Sequence, residues 1–539
     1  MKKRKNIFNG VIALIISQCI VKVLGLVYKL YLANKEGFGD AGNAIYNSGY
    51  QIYALLLTIS SIGVPNAVAK LVAEKKISGN RQEIAKILKS SLIIFSVIGI
   101  VCSAILAISA DFISDKLLNI SEAKYTIIAL SPAIFNVCLI SVYRGFYNGM
   151  NNVNITANSQ TIEQILKTVF TIVLVEIVFI ISNANTVAMA TIANFATTLA
   201  TLFSFMYLYR KNNLKNVKVR FEKSNVKRIL KVSIPISLSA ILASLNRNID
   251  SITVVRFLKE VVGEYEAKIQ YGILSGKVDV LSSLPVSFII AIATTIIPTV
   301  STLSAQRRKD DLRKIGKTYL LFTILLVLPC SVGIIAFSDQ ILNLLFNNCS
   351  GSILLKVSAI SIVFIAIEQI THAILQGIGK VLVPTMSLFV GVIIKVILNM
   401  TLIRLPENIY LIGGTVGACV ATLMCHVVAS SISFNIMRKK INLKIEFSKY
   451  ILKPVISSCI MLLCLYSSYF LLKGIIIENL AIILAILIAT FMYIASILIL
   501  KILNEEELEM IPFVSSLIVK IKKYKKKQEK RRILHKFGE

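Results

Sequence analysis

Arg144-Gly-Phe-Tyr-Asn-Gly149 closes a long apolar run of this chain, and His372-Ala-Ile-Leu-Gln-Gly377 closes another 228 residues later. The same offset carries Lys167 onto Lys395, one charge inside an apolar run onto another. A second match, at an offset of 233, sets Val64-Pro65-Asn66-Ala67-Val68 against Ile297-Pro298-Thr299-Val300-Ser301, each followed by paired cations. Six apolar runs fit into one such period. An even number of membrane crossings returns a chain to its starting side, so the two halves share one orientation. Parallel repeats of this kind are related by an axis along the membrane normal, and their interface is where a transporter keeps its cavity.

The runs themselves require a bilayer as solvent. The chain of 539 residues is 56% hydrophobic, with a mean hydropathy of +0.76, above the apolar share of soluble folds. Fourteen apolar runs are expected, near 7–31, 42–64, 84–110, 125–147, 156–181, 186–209, 229–255, 273–303, 317–337, 352–376, 381–403, 411–437, 450–472 and 479–500. Each is long enough to cross about 30 Å of hydrocarbon as a helix, and barrel strands would be far shorter. The fold class is therefore an all-α polytopic membrane protein of about fourteen transmembrane helices, two parallel six-helix repeats plus two extra C-terminal helices. The expected division is an N-lobe at 1–209, a linker at 210–228, a C-lobe at 229–437, the last two spans within 438–503, and a basic tail at 504–539. The first run follows the basic Met1 to Lys5 but lacks a small-residue cleavage site, so it reads as an uncleaved span.

Alternating loops differ sharply in charge. With residue 1 inside, the cytoplasmic segments hold 44 Lys and Arg, and the opposite loops hold 8: Lys35, Lys116, Lys124, Arg256, Lys259, Lys268, Arg404 and Lys473. The positive-inside rule then places the chain in the cell membrane with both termini cytoplasmic. The net charge of +31 faces anionic lipid head groups and gives no reason to invoke nucleic acid.

Seven cations remain inside spans: Lys22, Lys29, Lys167, Arg247, Lys277, Lys356 and Lys395. A charge near the centre of a membrane helix costs about 2.5 kcal/mol or more, so each needs a partner, water or a ligand. Lys22 and Lys29, seven residues apart, share one helix face. The first span carries no acid to neutralise them. Arg247 and Lys277 are their counterparts in the second half, and these four are the candidate substrate-binding residues, for an anion. Asp250 lies three residues after Arg247, within pairing reach of it. Asp250 and Asp279 are candidate ion-coupling residues. Glu163 with Lys167, and Glu368 with His372, are i, i+4 pairs that read first as ion pairs, the second also as a coupling-cation site or a proton relay.

Covalent chemistry finds no support. No phosphate-binding G-x-x-x-x-G-K-[ST] loop, H-E-x-x-H or G-x-S-x-G motif occurs, so neither an ATP-driven pump nor a hydrolase is expected. The nine cysteines form no C-x-x-C pair and do not cluster with the three histidines, so they read as apolar filler. No cofactor and no metal is expected.

Lys22-Val-Leu-Gly25, the segment Arg144 to Gln160 and the segment Leu284 to Ser301 resemble the polysaccharide transport proteins of the SpoVB and MurJ type. These belong to the superfamily of multidrug, oligosaccharidyl-lipid and polysaccharide exporters. The likeness in length, span count and repeat covers essentially the whole chain. Lys22 stands where lipid II flippases usually have arginine, which keeps the charge without the bidentate fork. Leu55, Leu56 and Leu57 stand where Gram-negative members tend to be basic, so the pattern fits the SpoVB-like branch better.

The resemblance implies two six-helix lobes around a central cavity, and two extra helices to hold a lipid tail. It implies a flippase that moves a lipid-linked saccharide on a polyprenyl diphosphate, foremost the peptidoglycan precursor lipid II, to the outer leaflet in cell-wall or spore-cortex synthesis. Partners are then that lipid, anionic membrane lipids and a coupling cation. The alternatives are a capsule or other polysaccharide-repeat flippase, and a cation-coupled multidrug exporter, which would place acids rather than bases in its cavity.

Overall fold

The computed structural model describes residues 17, 20–61, 63–77, 80–150, 152–214, 217, 223–406, 411–443 and 445–504. The basic tail from 505 onward lies outside the described residues. All regular elements among those described are helices. The first repeat comprises α1 (20–34), α2 (Gly39–Ser61), α3 (Gly63–Ile77), α4 (Arg81–Ile108), α5 (Ala123–Gly149), α6 (Val153–Ile181) and α7 (Thr186–Arg210). The second comprises α8 (Lys223–Val262), α9 (Glu264–Ile273), α10 (Asp279–Ala305), α11 (Lys309–Ala336), α12 (Ser338–Phe346), α13 (Ser352–Gly377), α14 (Leu382–Leu402) and α15 (Gly414–Lys440). Helices α16 (Lys453–Lys473) and α17 (Glu478–Ile499) follow and pack on each other and on α11.

The repeat holds at a single offset of 228. Ser103 Oγ donates to the Ser131 carbonyl at 2.6 Å, and Ser331 Oγ donates to the Ala359 carbonyl at 2.6 Å. Asn119 and Asn347 both adopt the left-handed conformation, with φ of 53° and 55°. A Cβ on Gly149 would lie 2.7 Å from the Ala69 carbonyl oxygen and 2.8 Å from Val72 Cβ. On Gly377 it would meet Ile297 O at 3.1 Å and Val300 Cβ at 2.8 Å, the counterparts of Ala69 and Val72. The 233-residue match of Pro65 with Pro298 is therefore not the structural register; the close approach of α5 to α3, and of α13 to α10, sets it. Gly149→Ala and Gly377→Ala are each expected to cost about 1–3 kcal/mol by overpacking, read as a lower thermal midpoint in nanodiscs.

Eleven described helical stretches are long and apolar enough to cross a membrane. Helices α2 (23 residues) and α8 (40 residues) are long but more polar. Their Asn43, Asn47, Ser48, Asn246, Asn248 and Ser251 are buried against protein rather than turned to lipid, which lowers their hydropathy without exposing polar groups to acyl chains. The expected outer loop at 256–272 is helical: α8 runs on to Val262, Gly263 makes the break at φ +86°, and α9 starts at Glu264. Glycine tolerates that angle without Cβ strain.

Candidate substrate path between the repeats

The two repeats meet along α8, which packs on α2, α3 and α4, and at the cation-poor face. There α2 packs against α8, α9 and the π-turn at Leu274–Val278. Gly272 and Gly276 make this approach possible. A Cβ on Gly272 would run into the main-chain oxygen of Asp40, and one on Gly276 would lie 2.6 Å from Asn43 Cγ.

Polar links between the repeats cluster on the same face. Lys277 Nζ donates to the Asp40 carboxylate at 2.9 Å and to Asn348 Oδ1 at 3.0 Å. Lys268 donates to Glu122 at 3.0 Å, Lys259 to Asn119 Oδ1 at 2.6 Å, and Asn34 Nδ2 to the Leu345 carbonyl at 2.7 Å. Lys277, expected as a substrate-facing cation, is 1% exposed and neutralised by Asp40. Its partner lies 237 residues away in sequence, beyond the reach of any local pattern.

The other candidates divide. On α1, Lys22 is exposed and Lys29 half-buried. Arg247 sits in α8, but its side chain lies outside the described residues. Asp250 is held from α14: Lys395 Nζ donates to Asp250 Oδ2 at 2.6 Å and to the Asn246 carbonyl at 2.8 Å. Asn399 Nδ2 donates to Asp250 Oδ1 at 3.1 Å, and Thr422 Oγ1 reaches Oδ2 at 3.5 Å. The lysine ammonium thus fills the position beside Asp250 that a coupling cation would need. Asp279 is exposed.

The counterpart of Lys395 is handled differently. Lys167 is 6% exposed, and Glu163 bonds to Arg144 at 2.7 Å rather than to Lys167. Lys167 Nζ instead lies 4.4 Å from the Tyr50 ring and 5.1 Å from the Tyr28 ring. Aromatic faces hold a cation through their quadrupole but leave its charge uncancelled. The 228-residue offset places Lys22 at the position of Asp250, so the first repeat has two lysines where the second has an acid–base pair. Sequence reading picked out both buried lysines; it missed the tyrosine cage, since Tyr28 and Tyr50 are brought together only by packing.

An apolar cavity of about 550 Å³ opens between α10, α11, α12, α16 and α17, lined by Leu284, Pro329, Gly333, Leu344, Met461 and Ile486 among others. Its walls are almost wholly hydrocarbon, suited to an acyl or prenyl chain.

Residues 7–304 match the polysaccharide biosynthesis protein family. The chain belongs to that family. This member also matches the MatE family over residues 235–401, within its second repeat. Stage V sporulation protein B of Bacillus subtilis (strain 168) is 23% identical across 96% of the chain and 100% of that protein. Lipid II flippase MurJ of the same organism is 28% identical across 78% of the chain and 81% of that protein. Among solved structures, the inward closed conformation of lipid II flippase MurJ superposes with a TM-score of 0.70, at 17% identity, over 90% of the chain and 98% of that structure. An inward-facing MATE multidrug transporter gives 0.66 at 15% identity, over 80% and 98%. These likenesses establish the fold, and the functionally named relatives place this polysaccharide biosynthesis family member among transporters rather than enzymes.

Proposed function

We propose that the chain flips a lipid-linked saccharide from the inner to the outer leaflet by alternating access, with lipid II as the leading substrate. The observation that carries this reading is the contrast between the repeats: Lys395 is cancelled by Asp250, whereas Lys167, at the matching position of the first repeat, is held by tyrosine rings. A wall with surplus positive charge suits a diphosphate. Lys22, Lys29 and Arg247 are proposed to hold it, with Lys167 adding to the field, while the apolar cavity takes the polyprenyl tail.

With the cation-rich face in the cytoplasm, as the positive-inside rule expects, the closed cation-poor face is the outer gate. Lys277 then acts as a latch on Asp40 rather than as a substrate ligand. Outward movement of an anion runs with an inside-negative potential, at about 2.3 kcal/mol per charge per 100 mV. A drug–cation exporter fits less well, because the acid it would need at Asp250 already holds Lys395.

The test uses purified full-length protein in proteoliposomes, with fluorescent lipid II whose leaflet is read by a membrane-impermeant quencher. The expected result is flipping that falls more than tenfold in Lys22→Ala/Lys29→Ala. Wild-type protein that flips neither lipid II nor another polyprenyl-diphosphate sugar would sink the reading. Filling the tail cavity by Gly333→Leu is expected to slow flipping of the polyprenyl substrate about tenfold, an apolar-contact loss of about 1.4 kcal/mol, while leaving a short-chain diphosphate analogue unaffected.

A further inference from the structure

One buried acid in the second repeat has histidines, not lysine or arginine, as its ionisable partners among the described residues. Glu368 on α13 is 2% exposed. Its Oε2 lies 2.7 Å from His426 Nδ1 on α15, and its Oε1 lies 3.7 Å from His372 Nδ1 one turn further along α13. The other well-buried or half-buried ion pairs are built with fixed cations: Asp250 with Lys395, Asp40 with Lys277, Glu163 with Arg144. A lysine or arginine keeps its charge through the physiological range, so those pairs are permanent. Imidazole changes charge there, so the charge of the Glu368 cluster is set by proton occupancy. We propose that Glu368, His426 and His372 form a proton-binding site whose occupancy is linked to the position of α8.

Charge balance fixes how many protons the site holds at rest. An ionised Glu368 with two neutral imidazoles would leave one desolvated negative charge, which is costly in a buried site. One proton shared among the three groups gives a neutral cluster, and a second gives it a positive charge. The site therefore passes between a one-proton and a two-proton state, or between one and none, with each step changing the net charge of a dry location. His372 provides the route in. Its side chain is 12% exposed, and its Nε2 lies 3.1 Å from Ser387 Oγ near the start of α14, toward the cation-rich face.

The link to α8 runs through Asn246. Its Nδ2 lies 3.3 Å from His426 Nε2, so in this orientation the amide can donate to that ring nitrogen only while the nitrogen carries no proton. Asn246 Oδ1 in turn accepts from Cys425 Sγ at 3.6 Å, and the Asn246 main-chain oxygen accepts from Lys395. A proton arriving at Nε2 would face the amide with a donor against a donor. The amide must then turn to present Oδ1, which breaks the thiol contact. Helix α8 touches both halves, packing on α2, α3 and α4 as well as on α14 and α15. A strained contact on Asn246 therefore acts on the helix that joins the repeats. The charged and titratable groups around the site are Lys395 on α14, Asp250 on α8 and Cys425 on α15.

The chain contains three histidines, so ring nitrogen resonances of histidine-labelled full-length protein in nanodiscs are few enough to follow individually, with His535 assigned by His535→Gln. The expected result is that the rings of His372 and His426 change protonation state between neutral and acid pH, and that Glu368→Gln alters both responses. Spin labels at Tyr125→Cys and Tyr265→Cys, both exposed on opposite repeats near the cation-poor face, report the linkage. The ratio of closed to open distances is expected to change at least fivefold over the same range, and to lose that dependence in Glu368→Gln and in His426→Gln. Rings that hold one protonation state throughout, or an unchanged distance response in both variants, overturn the proposal. If Glu368→Gln fails to fold, His426→Gln and the wild-type ring titration still decide. Neither readout needs a transported lipid, so failure here is distinct from failure of the flippase reading on which the physiological meaning rests.

Discussion

A methyl group at Gly272 is expected to hold the cation-poor face open and to lower flipping more than tenfold, with little loss of folded protein. The Gly272 Cα faces the main-chain oxygen of Asp40 across the repeats with no room for a Cβ, and neither partner is a flexible side-chain end. Relief comes only by moving α9 away from α2. That movement lengthens the Lys277–Asp40 contact, now 2.9 Å with Lys277 1% exposed. A buried pair weakens steeply once water enters between its members. Spin labels at Tyr125→Cys and Tyr265→Cys should then report a longer distance in Gly272→Ala than in the parent protein. The double variant Lys277→Met/Asp40→Asn supplies the comparison: it removes the latch without a steric wedge, so its distance distribution should broaden rather than shift as a whole. A Gly272→Ala protein that keeps the parent distance would show that α9 can settle without separating the repeats.

Removal of the Lys395 ammonium is expected to be the most destabilising single change in the second repeat. Lys395→Met leaves Asp250 with Asn399 and Thr422 but without its cation, and breaking one side of a buried pair costs about 3–5 kcal/mol. Thermal unfolding in nanodiscs should register that loss. Lys395→Met/Asp250→Asn should recover most of it, since replacing both partners leaves no buried charge behind. The matching change in the first repeat is expected to behave in the opposite way. Lys167→Met removes a buried charge held by tyrosine rings rather than by a carboxylate, so stability should stay level or rise while flipping falls. Equal destabilisation by the two substitutions would mean that Lys167 is balanced as fully as Lys395, and the surplus positive wall would be lost with it.

Much of this architecture was legible in the residues. The Gly149 and Gly377 motifs, and Lys167 with Lys395, gave the 228-residue repeat because close helix packing admits only small residues and because charges inside apolar runs are few. The proline match misled by five residues, since a helix tolerates a proline near its start at more than one position. The paired carboxylates and cations were less accessible. Local spacing proposed Glu163 with Lys167, yet Glu163 bonds Arg144 on the neighbouring helix, and spacing gave no sign that Asp250 bonds Lys395 across 145 residues. An i, i+3 or i, i+4 interval says only that two side chains share a face.

What the sequence alone determined is an all-helical membrane chain and its doubling at an offset of 228, because hydrocarbon thickness and the cost of burying charge act on each segment separately. What the tertiary structure decided is which charges cancel. Lys277 pairs with Asp40, Lys395 with Asp250, and Lys167 lies against tyrosine rings, because neutralisation depends on distances of a few ångströms between helices far apart in the chain.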